Sequence, residues 1–77
     1  RREAFTVSAV NWISGKPSGR DLQVKIRNGE KLLAAHLELH RSGDVSVHLS
    51  EPEKGIAPGQ YAVFYEGKYC LGGGVIG

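Results

Sequence analysis

Apolar residues recur at every second position along most of the chain. Phe5, Val7 and Ala9 alternate with Thr6, Ser8 and Val10, and Leu22, Val24 and Ile26 with Gln23, Lys25 and Arg27. Leu37 and Leu39 stand between His36, Glu38 and His40, and Val45, Val47 and Leu49 between Ser46, His48 and Ser50. A period of two turns one set of side chains to a core and the other to water, so each run predicts a half-buried strand. Tyr61–Tyr65 and Lys68–Ile76 bring the count to about six. The most helix-like window, Glu30 to Leu39, contains Lys31-Leu32-Leu33-Ala34-Ala35. It resolves into alternation and has no stop signal before Gly43, so it too predicts a strand.

The segments between the runs carry turn chemistry. Ser14-Gly15-Lys16-Pro17-Ser18-Gly19 is a loop, because Pro17 lacks a donor and the glycines permit positive φ. Leu37 and Leu39 must share a face with Val45 and Val47, which requires opposed residues to have an even index sum. A three-residue loop, Arg41-Ser42-Gly43, meets that condition with Gly43 left-handed and Leu39 opposite Val45. Glu66-Gly67 suits a two-residue turn that sets Val63 opposite Cys70 and Phe64 opposite Tyr69. Glu51 to Gln60 is a connection, with Pro58-Gly59 fit for a type II turn.

About six short strands in a flat sheet would leave two bare edges and an uncovered apolar face. Closure into a barrel removes both, so the expected architecture is all-β, a small closed or partly open antiparallel barrel; a two-sheet sandwich is the alternative. Seventy-seven residues allow one domain, spanning 1–77, and leave little volume for a deep cleft. The longest apolar run is far short of the roughly 20 residues that a membrane helix needs. The first residues, Arg1-Arg2-Glu3-Ala4-Phe5, contain no signal-peptide core. The chain is therefore expected to be soluble, with no membrane partner.

Charge adds one asymmetry. Residues 1–31 hold seven basic and three acidic side chains, a surplus of four, whereas 32–77 hold three basic and five acidic, a deficit of two. Such a tilt draws a polyanion toward one part of the fold, although scattered solvated charges give the same arithmetic. Lys25 and Arg27, two apart on one outward face, and Arg20 just before them are the candidate phosphate contacts.

Other chemistry finds little support. His36 and His40 lie about 13 Å apart on a strand, and His36 opposite His48 offers at most two ligands where a metal needs three or four. Gly72-Gly73-Gly74-Val75-Ile76-Gly77 matches G-x-G-x-x-G without the strand-turn-helix setting of a dinucleotide site; sharp bending or close backbone approach explains it better. Cys70 has no activating neighbour and, opposite Val63, is expected to be a buried inert thiol. Ser42, Ser46 and Ser50 lack an orienting base, and Glu51 and Glu53 flank Pro52 in a solvated loop. No catalytic, cofactor-binding or metal residue is expected in this segment.

One combination is more specific. Glu51-Pro52, Gly55-Ile56-Ala57-Pro58-Gly59-Gln60, Ala62-Val63-Phe64-Tyr65, Gly67 and Cys70-Leu71-Gly72-Gly73-Gly74-Val75-Ile76 resemble the closing stretch of tRNA-specific 2-thiouridylases. Val10-Asn11-Trp12 and Val24-Lys25-Ile26-Arg27 are similar to earlier signatures of that family, in the same order. The resemblance implies a C-terminal barrel similar to the second domain of translation elongation GTPases. It also implies a larger cytoplasmic parent, mitochondrial or plastid in a eukaryote, with an ATP-pyrophosphatase domain and a central domain. That parent would use ATP with magnesium to adenylate C2 of the wobble uridine of tRNA. It would then add persulfide sulfur, received from a donor protein, through a cysteine pair. Neither the family's ATP loop nor those cysteines occur here, and Cys70 matches a barrel position. Where the family often continues after Arg27 with an aromatic and another arginine, this chain has Asn28-Gly29-Glu30. The implied task is tRNA positioning or interdomain packing; a stand-alone oligonucleotide-binding barrel would require exposed aromatics among Trp12, Tyr61, Tyr65 and Tyr69 beside the basic face.

Overall fold

The computed structural model describes residues 2–13, 15–26 and 31–77. Six strands, β1 (Arg2–Trp12), β2 (Asp21–Ile26), β3 (Leu33–Leu39), β4 (Val45–Glu53), β5 (Tyr61–Glu66) and β6 (Tyr69–Ile76), pair antiparallel in the closed order β1-β4-β3-β2-β5-β6. The described residues contain no helix, and the window beginning at residue 30 holds strand β3. Closure leaves no edge unpaired and turns one set of alternating side chains into a common core.

That core takes Phe5 and Val7 from β1, Leu22 and Val24 from β2, Leu37 from β3 and Val47 from β4, with Phe64 among the most deeply buried. Ile56 is buried from the β4–β5 loop and plugs one end. At the other end half-buried Trp12 stacks on Phe64, with ring centroids 5.3 Å apart and planes 25° from parallel. No polar side chain is buried among the described residues, so the interior rests on apolar burial and backbone pairing.

The β3–β4 hairpin has the expected register, with Leu39 opposite Val45, Leu37 opposite Val47 and Gly43 at φ 97°. Gly59 has φ 93° and Gln60 N donates to Ala57 O at 3.4 Å, as a type II turn at Pro58-Gly59 requires. The Gln60 side chain closes that loop, accepting from Ala57 N and donating to Gly55 O, both at 2.8 Å.

Three expectations are corrected. In β1 the alternation does not run through Ala9, which is exposed at φ 52°, while Val10 packs against the core. A bulge shifts the β1–β6 register between Ser8 and Asn11, so the inward series passes from Phe5 and Val7 to Val10 and Trp12. The β5–β6 turn is Gly67-Lys68 rather than Glu66-Gly67, with Gly67 supplying φ 62°. Glu66 therefore faces Tyr69 and Tyr65 faces Cys70; a second irregularity then brings Phe64 opposite Gly72 and Val63 opposite Gly73. Finally, Glu51-Pro52-Glu53 belongs to β4 rather than to the connection. Its proline is tolerated because the β1–β4 register is irregular there, between Ala4↔His48 and Arg2↔Glu53.

The glycine triplet makes β6 the seam of the barrel. Gly72 is opposite both Trp12 and Phe64, so with no side chain between them the two rings meet over it. A Cβ on Gly72 would collide with Asn11 O, and one on Gly74 would lie 2.5 Å from Ser8 O and 2.8 Å from Val7 Cγ1. This close backbone approach is what the triplet was expected to permit.

Candidate interaction surface

Outward side chains divide the barrel into two chemically different walls. On β3 and β4, His36 and His48 are direct cross-strand partners. Each ring is engaged by a carboxylate: His36 Nδ1 lies 2.9 Å from Asp21 Oδ1, and His48 Nε2 lies 3.0 Å from Glu38 Oε1. A shallow groove of about 570 Å³ runs beside them, lined by Asp21, Gln23, His36, His48, Ser50 and Glu66. Among the described residues no three His, Cys, Asp or Glu side chains converge as metal ligands. His40 Nε2 sits 2.7 Å from Ser46 Oγ at the exposed hairpin end. Among the described residues no carboxylate contacts His40 to orient it as a base for Ser46.

The face centred on β5, with its neighbours β2 and β6, carries outward tyrosines and Lys25, and shares Asp21 and Glu66 with the histidine groove at one end. Ala62 and Phe64 point inward, which leaves Tyr61, Val63 and Tyr65 outward. Lys25 of β2 lies directly opposite Val63. Tyr61 and Tyr65 are then its diagonal neighbours, within about 7–8 Å between backbones. Val75 of β6 faces Tyr61 and is 37% exposed. Among the described residues no carboxylate lies within ion-pair distance of Lys25.

Of the candidate phosphate contacts, the two among the described residues, Arg20 and Lys25, stand apart. Lys25 stands on the aromatic wall. Arg20 is exposed in the loop before β2, where its Nη1 donates to Pro17 O at 3.2 Å and to Gly19 O at 3.3 Å, pinning the loop around buried Pro17. Five residues separate it from Lys25, roughly 16 Å at the strand rise. Arg27 lies outside the described residues. Cys70 is exposed, not buried as expected. The cause is the shifted β5–β6 register, which sets it opposite outward Tyr65 and turns Leu71 into the core. Trp12, expected as a possible exposed platform, is committed to the core stack with Phe64.

ATP, implied for the parent, does not fit these residues. Gly72, Gly73 and Gly74 lie buried within strand β6, hydrogen-bonded into the barrel rather than forming an open loop that could wrap a phosphate.

A six-stranded closed antiparallel barrel with a glycine seam defines a small all-β barrel domain. The chain belongs to the aminomethyltransferase beta-barrel domain family, whose model matches residues 2–76. Its curated relatives are tRNA-specific 2-thiouridylases, and the chain corresponds to their C-terminal barrel. The enzyme of Chromohalobacter salexigens is 36% identical over 76 residues, covering 96% of this chain and 20% of the relative. That of Rhodospirillum centenum is 41% identical, covering 97% and 19%. That of Desulfosudis oleivorans is 42% identical over 71 residues, covering 91% and 20%. The chain thus spans about a fifth of the length of these relatives.

Proposed function

We propose that this barrel positions tRNA for a 2-thiouridylase whose ATP-dependent adenylation and sulfur transfer take place on other domains, in the cytoplasm. The observation that carries the reading is Lys25, set between two outward tyrosines with no carboxylate partner among the described residues. Lys25, with Arg20 at the loop, supplies sequence-independent phosphate contacts while the catalytic and central domains, served by the sulfur-donor protein, address the base.

A second reading has its own support. Ile13, 68% exposed, follows β1, and Tyr69, 77% exposed, opens β6 at the Trp12 end, where Ile13 N donates to Leu71 O at 2.8 Å. That apolar end suits packing against the rest of a parent chain. The two uses occupy different surfaces and are compatible. In the full-length enzyme, Arg20→Glu with Lys25→Glu should weaken tRNA binding and reduce the slope of log K against log salt by about two. Unchanged affinity at low salt rejects the positioning reading.

A further inference from the structure

Tyr61 is 39% exposed and its ring lies over β6. The place a Cβ on Gly73 would take lies 2.9 Å from Tyr61 Cε2 and 3.4 Å from its Cζ. Two atoms of the ring therefore occupy the space over a bare stretch of β6. The ring packs against the sheet on one side, as an aromatic covering a strand glycine does, and is part-open to solvent on the other. Tyr65 stands on the same face of β5 four residues on, about 13 Å away at the strand rise. Lys25 sits between them from the neighbouring strand.

We propose that this face binds unpaired RNA nucleotides, with bases stacking on Tyr61 and Tyr65 and the intervening phosphate meeting Lys25. The inference rests on the tRNA-positioning reading and deepens it by naming the kind of RNA segment that is held. Bases in a duplex have their π faces occupied by neighbouring base pairs, so a tyrosine held against a sheet has nothing to stack on there. Splayed bases do offer those faces, and stacking tolerates any sequence. The cation midway between the rings supplies charge complementarity that an apolar protein partner does not need.

The test is fluorescence anisotropy at low salt, titrating the full chain into a labelled unpaired RNA decamer and into a labelled blunt-ended RNA duplex of equal strand length. The native chain binds the decamer more tightly. Tyr61→Leu and Tyr65→Leu each weaken decamer binding by about 5- to 150-fold and leave the duplex within about twofold. Tyr61→Phe, which keeps the ring, binds like the native chain and carries the test together with Tyr65→Leu if Tyr61→Leu does not fold. Lys25→Gln weakens both RNAs and lowers the salt slope by about one. Decamer binding indifferent to both leucine variants but dependent on Lys25 rejects stacking and leaves tRNA positioning standing. No binding of either RNA by the native chain overturns both. Leucine variants that abolish self-association in sedimentation without touching RNA affinity make the face a protein interface and reject the proposal.

Discussion

Ala9 and Gly72 show opposite uses of unusual backbone. Ala9 holds φ 52° without being glycine, because the β1 bulge needs a left-handed residue to carry Val10 and Trp12 inward. A left-handed alanine costs about 1–2 kcal/mol, against roughly 0.5–1 kcal/mol for glycine's extra unfolded freedom. Ala9→Gly should thus leave stability unchanged or raise it by up to about 1 kcal/mol in urea unfolding; a loss larger than that refutes the bulge as the source of strain. Gly72 and Gly43 both hold positive φ, 154° and 97°, but only Gly72 also lacks space for a side chain. A Cβ on Gly43 meets nothing within 4 Å, so Gly43→Ala should cost only the strain of its φ 97°, about 1–2 kcal/mol. A Cβ on Gly72 meets the Asn11 carbonyl in a strand locked on both sides, so Gly72→Ala should cost about 3 kcal/mol or more. Equal costs from the two substitutions contradict the seam.

Among the strands, β6 decides whether the sheet closes, since it alone joins β1 to β5. The Trp12–Phe64 stack formed over Gly72 couples those two neighbours and adds about 0.5–1.5 kcal/mol beyond its area burial. Phe64→Ala should destabilise by about 3–5 kcal/mol. Near-ultraviolet circular dichroism should lose the Trp12 signal while the far-ultraviolet sheet signal persists below the transition; an unaltered Trp12 signal excludes the stack. This part of the molecule was also the least legible in advance. The β3–β4 register followed from parity, because Leu37, Leu39, Val45 and Val47 leave one arrangement that buries all four. The β5–β6 hairpin offered no parity. Tyr61, Val63 and Tyr65 are as apolar as Ala62 and Phe64, and Gly72 to Gly74 have no side chains to place. The turn shifted by one residue and Cys70 moved to the surface. A bulge likewise hid the switch of faces in β1, since Ala9 and Val10 are both apolar.

For the molecule as a whole, closure assembles the Lys25–tyrosine and histidine–carboxylate clusters through pairings distant in sequence. Lys25 could be picked out as an outward cation from its place in β2. Its aromatic flank could not, because β2 meets β5 across a separation of more than thirty residues. The carboxylate-bound histidines of β3 and β4 were visible as an opposed pair, but Asp21 reaches His36 only through the β2–β3 pairing. Arg20 was grouped with Lys25 by proximity in sequence, whereas its guanidinium is turned back onto the Pro17 loop.

Chemical-shift mapping on the isotope-labelled chain, titrated with tRNA, tests most directly which wall meets the nucleic acid. Perturbed amides should cluster at Gly19–Arg20, Gln23–Ile26, Tyr61–Tyr65 and Gly73–Val75, with His36, Glu38 and His48 unmoved. Perturbations centred on the histidine wall, or none anywhere at low salt, contradict the account.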